Sequence, residues 1–162
     1  MVERKTTKEL TPAGRLAVER LHDVIGYQVA QAAIVTLSVF QRAAGDALEL
    51  RPAEFTMLVL VNENPGSTAA RLARALAVSA PNITMWLDKL RRRGLMRREA
   101  SETDRRSQHL YLTNKGRKLA EEATRRIIQG EQRAFAHLPA GERAILVELL
   151  RKLATRRLDG AA

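Results

Sequence analysis

Cysteine is absent from this chain of 162 residues, and aromatic residues and long apolar runs are scarce. The lack of cysteine excludes disulfide scaffolds, thiol nucleophiles, Cys-ligated zinc and thiol-based redox sensing. Aromatic residues make up only 4% of the sequence, whereas Ala, Leu, Arg and Glu, which form helices readily, dominate it. The longest apolar stretch, residues 29–40, contains polar residues and is shorter than the ~20 residues that a membrane-spanning helix needs. The composition therefore predicts a mainly α-helical protein without a membrane span.

Common catalytic and targeting motifs are also missing from the sequence. It contains no phosphate-binding glycine loop, no G-x-S-x-G and no H-E-x-x-H, so we expect no enzyme and no cofactor. The three histidines, His22, His109 and His137, are too scattered to predict a metal site. The first ten residues are charged and lack the apolar stretch of a secretory signal, which favours a cytoplasmic protein.

Basic residues outnumber acidic ones, and the excess is concentrated in one region. The net charge is +10, and arginine supplies 22 of the 28 basic residues. Residues 71–107 hold ten basic and four acidic side chains, the highest density of positive charge in the chain. Arginine is suited to bidentate contacts with phosphate and guanine. The charge alone leaves two interpretations open, a surface that binds a polyanion such as DNA and a basic face that is only solvated.

Apolar residues at helical spacing predict long helices at both ends of the chain. The first is expected from Pro12 to about Ala43, with Pro12 in its first turn. A second helix opens at Arg51-Pro52 and ends at the turn formed by residues 64–66. Near the C-terminus, one helix is expected to begin at the cap Thr113, and another to cover residues 140–158.

The middle of the chain predicts two short helices followed by a β-hairpin. Ser67 or Thr68 can cap the first helix, and Ser79 can cap the second, which stops at Gly94. Segments 95–99 and 108–112 flank a polar loop, and the second segment alternates between apolar and polar residues as a half-buried strand does. A helix, a short turn, a second helix and a hairpin form the plan of a winged helix-turn-helix, whose second helix enters the major groove of DNA.

From Leu50 to Gly116 the sequence resembles the MarR family of bacterial transcriptional regulators. The resemblance rests on motifs in a fixed order: Leu50-x4-Phe55, Asn64-Pro65-Gly66, Leu72-Ala73, Val78-Ser79-x-Pro81-Asn82-Ile83-Thr84, Leu87-Asp88-x-Leu90, Arg93-Gly94-Leu95, Arg98, Asp104-Arg105-Arg106-Ser107 and Leu110-x-Leu112-Thr113-x2-Gly116.

The resemblance implies a homodimer that binds a pseudopalindromic operator in double-stranded DNA at the bacterial nucleoid. The family's plan implies a flexible tail at residues 1–11, a dimerisation region at 12–46 and 113–162, and a DNA-binding lobe at 47–112. We expect a repressor whose DNA affinity falls when a small anionic or aromatic effector binds. The alternative is an architectural protein that coats DNA through charge and has no effector.

The outer face and N-terminal end of the second short helix carry the expected base contacts. Asn can bond adenine, Ser and Thr can bond bases or phosphates, and exposed apolar groups can contact a thymine methyl. The predicted contacts are Ser79, Ala80, Pro81, Asn82, Thr84, Met85 and Lys89, of which Lys89 would hold a phosphate. A helix cap and a first-turn proline explain Ser79 and Pro81 equally well.

In the loop of the hairpin we expect Arg105, Arg106 and Ser107 to contact DNA, with Asp104 orienting Arg106 toward the minor groove. The alternative there is a plain surface ion pair.

Family members often bind effectors between the dimerisation helices and the DNA-binding lobes, and the candidate pocket residues here are His22, Tyr27, Phe55 and Met57. Each of these four is also explained as a packing or surface residue.

Overall fold

The computed structural model describes residues 10–100 and 108–155, which form α-helices, one π-helical turn and a small antiparallel sheet. In chain order the elements are α1 (Ile25–Phe40), the π-helical turn Gln41–Gly45, α2 (Asp46–Leu48), α3 (Pro52–Glu63), β1 (Ser67–Thr68), α4 (Ala69–Leu76), α5 (Ala80–Arg92), β2 (Met96–Ala100), β3 (Gln108–Leu112), α6 (Asn114–Ala134) and α7 (Ala140–Thr155). The chain divides into two compact units, residues 1–38 and 39–162. None of the described helices is long and apolar enough to cross a membrane.

In the first unit, the helix expected from Pro12 begins only at Ile25, so the first part of that prediction was wrong. Residues 10–24 form turns instead, and Leu10 and Ala17 pair in an isolated antiparallel bridge. Gly14 and Arg15 have φ angles of 77° and 49°, which lie in the left-handed region and cannot continue a right-handed helix. The apolar spacing therefore indicated the helix correctly from Ile25 onward but did not reveal this turn.

The core of the second unit lies where α3, α4 and α5 pack against the sheet and the first half of α6. The apolar residues of these elements point inward at the spacing that their helical or extended backbone imposes. The buried cluster consists of Phe40, Ala44, Leu50, Met57, Leu58, Val61, Leu72, Ile83, Leu87, Leu90, Leu95, Met96, Leu110, Leu112, Ala120 and Ala123.

The predicted hairpin is confirmed, and a short additional strand joins it. Strands β2 and β3 pair antiparallel, with Met96 opposite Leu112. Strand β1 pairs with the other edge of β3, which gives the order β1-β3-β2 in this sheet. The two residues of β1 are too few and too polar to show the alternation from which a strand is predicted. Of the two candidate caps there, Thr68 caps α4, and its Oγ1 accepts a hydrogen bond from Arg71 N at 3.3 Å.

Candidate nucleic-acid interface

Helix α5 has one buried face and one exposed face, as the sequence predicted. Ile83, Leu87 and Leu90 are buried in the core. The opposite side and the N-terminal end present the predicted DNA contacts to solvent, namely Ser79, Ala80, Pro81, Asn82, Thr84 and Met85. The first turn and a half of the helix thus offers an exposed amide, two hydroxyls and three apolar groups to a ligand. DNA contact by these residues remains a prediction.

The two hydroxyls of this surface differ in their hydrogen bonding. Ser79 occupies the N-cap position with an extended backbone, but its side chain makes no capping hydrogen bond within the described part of the chain. The cap explanation therefore accounts for its position and not for its hydroxyl. Thr84 Oγ1 donates to Ala80 O at 2.9 Å, so its hydroxyl can still accept a hydrogen bond but has already used its proton.

Lys89, expected to hold a DNA phosphate, makes an ion pair with a buried carboxylate of the protein. Its Nζ atom lies 2.6 Å from Oε1 of Glu54, a residue of α3 that is only 1% exposed. The Lys89 side chain remains 42% exposed, since its stem runs along the surface while its charge is directed at the carboxylate. The Lys89 charge therefore has a partner within the protein, and its contact with a DNA phosphate stays a prediction.

Two neighbouring segments hold the C-terminal end of α5. The guanidinium of Arg93 donates to Glu49 O at 2.7 Å and to Leu48 O at 3.1 Å. From the start of α6, Thr113 Oγ1 donates to Gly94 O at 2.7 Å, and Lys115 Nζ donates to Arg93 O at 3.0 Å. These bonds satisfy carbonyl groups that the end of a helix leaves without partners. The end of α5 is therefore fixed to the segments that precede α3 and begin α6.

A further ion pair joins α5 to the wing, which is the hairpin of β2 and β3. Arg98 of β2 donates from Nη2 to Asp88 Oδ1 at 3.1 Å, and Arg91 Nη2 lies 3.8 Å from the same oxygen. The Arg98 side chain is largely shielded from solvent, which reduces screening of this pair. Because only three residues separate α5 from β2, the pair helps to fix the direction in which the wing leaves the helix.

The predicted wing contacts Asp104, Arg105, Arg106 and Ser107 lie outside the described residues, so their roles remain predictions. At the described base of the wing, the guanidinium of Arg97 lies 4.8 Å from the ring centre of Tyr111 and pairs with Glu99.

The two candidate effector residues of α3, Phe55 and Met57, have different surroundings. Phe55 packs against Phe40, with 6.0 Å between ring centres, and Met57 is completely buried in the core. Since residues two apart on a helix point to different sides, these two cannot line one surface. His22 and Tyr27 belong to the first unit.

An open groove of about 630 Å³ lies between α3 and α6. Val59 and Asn62 of α3 line it together with Thr124, Arg125 and Ile128 of α6. None of the four candidate residues is among those that line it.

The sequence did not single out Glu54, and it gave Asp88, Arg93 and Arg98 no positioning role. The spacing Arg51-x-x-Glu54 at the start of a helix is typical of a carboxylate that caps the preceding N–H, and Arg51 N does donate to Glu54 Oε2 at 3.1 Å. That signal predicts the cap but not the burial, which depends on the packing of α5 against α3. Trp86 of α5 is half-buried and packs against the core cluster.

Comparison with known proteins agrees with this geometry. The family model described as "MarR family" matches residues 50–108. A curated HTH-type transcriptional repressor from Mycobacterium tuberculosis is 33% identical over 111 residues, which cover 68% of this chain and 80% of the relative. The solved structure of the transcriptional repressor CouR bound to a 23-mer DNA duplex is 32% identical, with a TM-score of 0.80 over 86% of this chain and 98% of that one.

A structure of a Mycobacterium tuberculosis MarR family protein in complex with salicylic acid is 31% identical, with a TM-score of 0.64 over 80% of this chain and 95% of that one. The family model, the identity to the repressors and the shared fold agree. The chain therefore belongs to the MarR family of winged helix transcriptional regulators.

Proposed function

We propose that this protein is a sequence-specific repressor that binds an operator in double-stranded DNA at the bacterial nucleoid and releases it when a small effector binds. The observation that carries this function is the exposed N-terminal half of α5, which has Asn82 at its centre. The other face of this helix is buried in the core, and contacts with α3, α6 and the wing hold its C-terminal end. A major-groove reader needs this combination, since base contacts require short, directed hydrogen bonds. The similar repressor CouR has been solved on DNA.

Exposed apolar surface supports a homodimer. In α7, Ile145, Leu149 and Leu153 are exposed, and they lie on neighbouring turns of the helix. In α1, Ile34 and Leu37 are exposed as well. Apolar surface of this extent on a soluble protein marks a contact with another chain. A two-fold dimer would present two copies of α5 to two half-sites, which explains the expected pseudopalindromic operator.

For effector binding, the groove between α3 and α6 is a second candidate beside the residues predicted from sequence. It combines the apolar groups Val59 and Ile128 with the polar groups Asn62, Thr124 and Arg125. A similar family protein binds salicylic acid. A ligand that favours one arrangement of the two DNA-binding lobes over another would lower operator affinity by that difference in binding free energy.

The test is fluorescence anisotropy with labelled DNA from upstream of the protein's own gene and from across the genome, each beside a shuffled duplex and at two salt concentrations. We expect a site that the protein binds at least a thousandfold more tightly than shuffled DNA. Asn82→Ala should weaken binding to that site by about five- to a hundredfold and leave binding to shuffled DNA almost unchanged, because a base contact is lost and no phosphate contact is.

Equal and salt-sensitive binding to every duplex would instead favour the alternative, a protein that coats DNA. If Asn82→Ala lowered the affinity for specific and for shuffled DNA equally, Asn82 would contact the DNA backbone and not a base.

A further inference from the structure

The buried carboxylate of Glu54 requires an explanation beyond helix capping. It lies in the first turn of α3, and its Oε2 accepts a hydrogen bond from Arg51 N at 3.1 Å. A capping carboxylate performs that role equally well in contact with water, yet Glu54 is only 1% exposed. Its other oxygen, Oε1, accepts no hydrogen bond from any other described residue and lies 2.6 Å from Lys89 Nζ. Burial of a charge is costly unless its partners compensate for the lost water.

Both cations near this carboxylate come from one side of α5. Arg93 Nη1 lies 3.9 Å from Glu54 Oε2, so the carboxylate lies between Lys89 and Arg93. Residues four apart lie on the same face of a helix, one turn from each other. Arg93 also donates to Leu48 O and Glu49 O, which restricts where its guanidinium can be. One buried anion therefore restrains the orientation of the C-terminal end of α5 relative to the start of α3.

The exposed end of the same helix is sensitive to a change in the direction of the helix axis. Asn82 is seven residues before Lys89, which places the two on nearly the same side of α5 and about 10 Å apart along its axis. A tilt of about 5° at Lys89 would move the backbone at Asn82 by about 1 Å, given the rise of about 1.5 Å per residue. Such a displacement is enough to break a directed hydrogen bond to a base.

We propose that Glu54 is a positioning residue for DNA recognition, which holds α5 through Lys89 and Arg93, and that Lys89 acts through this pair and not as a phosphate contact. The inference rests on the proposed function as a sequence-specific DNA-binding protein. It means that a buried residue of α3, which DNA cannot reach, contributes to the preference for the operator over other DNA.

The test is a double-mutant cycle of Glu54→Gln and Lys89→Met in the full chain. Glutamine keeps the shape of Glu54 and the acceptor for Arg51 N, so it removes the charge with the smallest change in packing. Circular dichroism and urea unfolding establish conditions in which every variant is folded. Affinity for the operator and for shuffled DNA is then measured by anisotropy at four or more salt concentrations.

We expect each single variant to lose about tenfold in operator affinity and to change affinity for shuffled DNA by less than about twofold. The double variant should bind the operator as tightly as the single variant with the lower affinity, because both changes break the same ion pair. The slope of log affinity against log salt should stay at the wild-type value for Lys89→Met, whereas loss of a phosphate contact would reduce it by about one. Glu142→Gln is the matched control, since Glu142 is also the third residue of a helix but is exposed, and it should leave both affinities unchanged.

A slope reduced by about one in Lys89→Met would overturn the proposal and return Lys89 to the phosphate contacts. Operator affinity of folded Glu54→Gln within twofold of the wild type would also overturn it, because Glu54 would then serve stability alone. The wild-type protein separates these results from a failure of the proposed function, which would appear as a lack of preference for any operator before a variant is made.

Discussion

Gly116 shows how a single missing side chain determines where α6 can begin. A Cβ atom at this position would lie 2.0 Å from Leu95 O, far inside van der Waals contact with a backbone that cannot move aside easily. The same carbonyl accepts a hydrogen bond from Thr113 N at 3.1 Å, and Gly116 N donates to Thr113 Oγ1 at 3.0 Å. The first turn of α6 therefore lies directly against the segment that follows α5.

We predict that Gly116→Ala lowers the free energy of unfolding by about 1–3 kcal/mol, the usual cost of overpacking, although alanine favours helix by about 1 kcal/mol elsewhere. Gly141→Ala is the control, because nothing lies within 4 Å of a Cβ at that position in the first turn of α7, and it should leave stability unchanged or raise it. Urea unfolding followed by circular dichroism measures both. Equal stability of the two variants would mean that the Leu95 segment yields to the added methyl group.

At the scale of elements, the turn between α4 and α5 contains a residue in an unfavourable conformation. Ala77 ends α4 with φ 52° and ψ 47°, the left-handed region that glycine usually occupies at this position. Its N–H and that of Val78 bond to carbonyls of the last turn of α4, at 3.3 Å to Arg74 O and 3.0 Å to Ala73 O. The end of α4 is thus well hydrogen-bonded, but the Cβ of Ala77 makes its left-handed backbone conformation unfavourable.

We predict that Ala77→Gly raises the free energy of unfolding by about 0.5–1 kcal/mol, because relief of the left-handed strain outweighs the greater freedom of glycine in the unfolded chain. Ala70→Gly, an exposed position on α4, should lower it by up to about 1 kcal/mol. Thermal and urea unfolding of the two variants provide the comparison. A loss of stability in Ala77→Gly would show that the strain is absorbed elsewhere in the turn.

The elements that could be predicted are those whose sequence carries a repeating pattern. The inward face of α5 and the strand β3 follow from the spacing of Ile83, Leu87 and Leu90 and from the alternation at Leu110 and Leu112. The turns of residues 10–24 break a pattern that is compatible with a helix, and only the backbone angles reveal them. The pairs made by Glu54 and Arg98 join side chains of different elements, and the residue spacing within one helix or strand does not encode such contacts.

At the scale of the whole molecule, the proposed dimer through the exposed apolar side chains of α7 would make stability depend on assembly. A folded dimer that buries this surface gains free energy with rising protomer concentration. The sequence predicted dimerisation at both ends of the chain and DNA binding in the middle. This arrangement remains a prediction, and the dependence of stability on protomer concentration can test it.

We predict that Leu149→Glu combined with Leu153→Glu converts the dimer into a monomer at micromolar concentration, because each charge would have to be buried without a partner. Analytical ultracentrifugation measures the mass, and anisotropy should show operator affinity reduced by at least a hundredfold, since one half-site alone is then bound. Lys152→Gln, on the same helix, is the control and should remain dimeric. A wild-type protein that sediments as a monomer would contradict the dimer itself.

The position of Trp86 has a practical consequence for all of these measurements. It is the single tryptophan of the chain, and it lies half-buried on α5 against the core. Tryptophan emission from this protein therefore originates in α5 alone, with no background from the rest of the chain. Spectral shifts and quenching on mixing with unlabelled DNA or with a candidate effector would report on the surroundings of that one helix, in real time and without a dye.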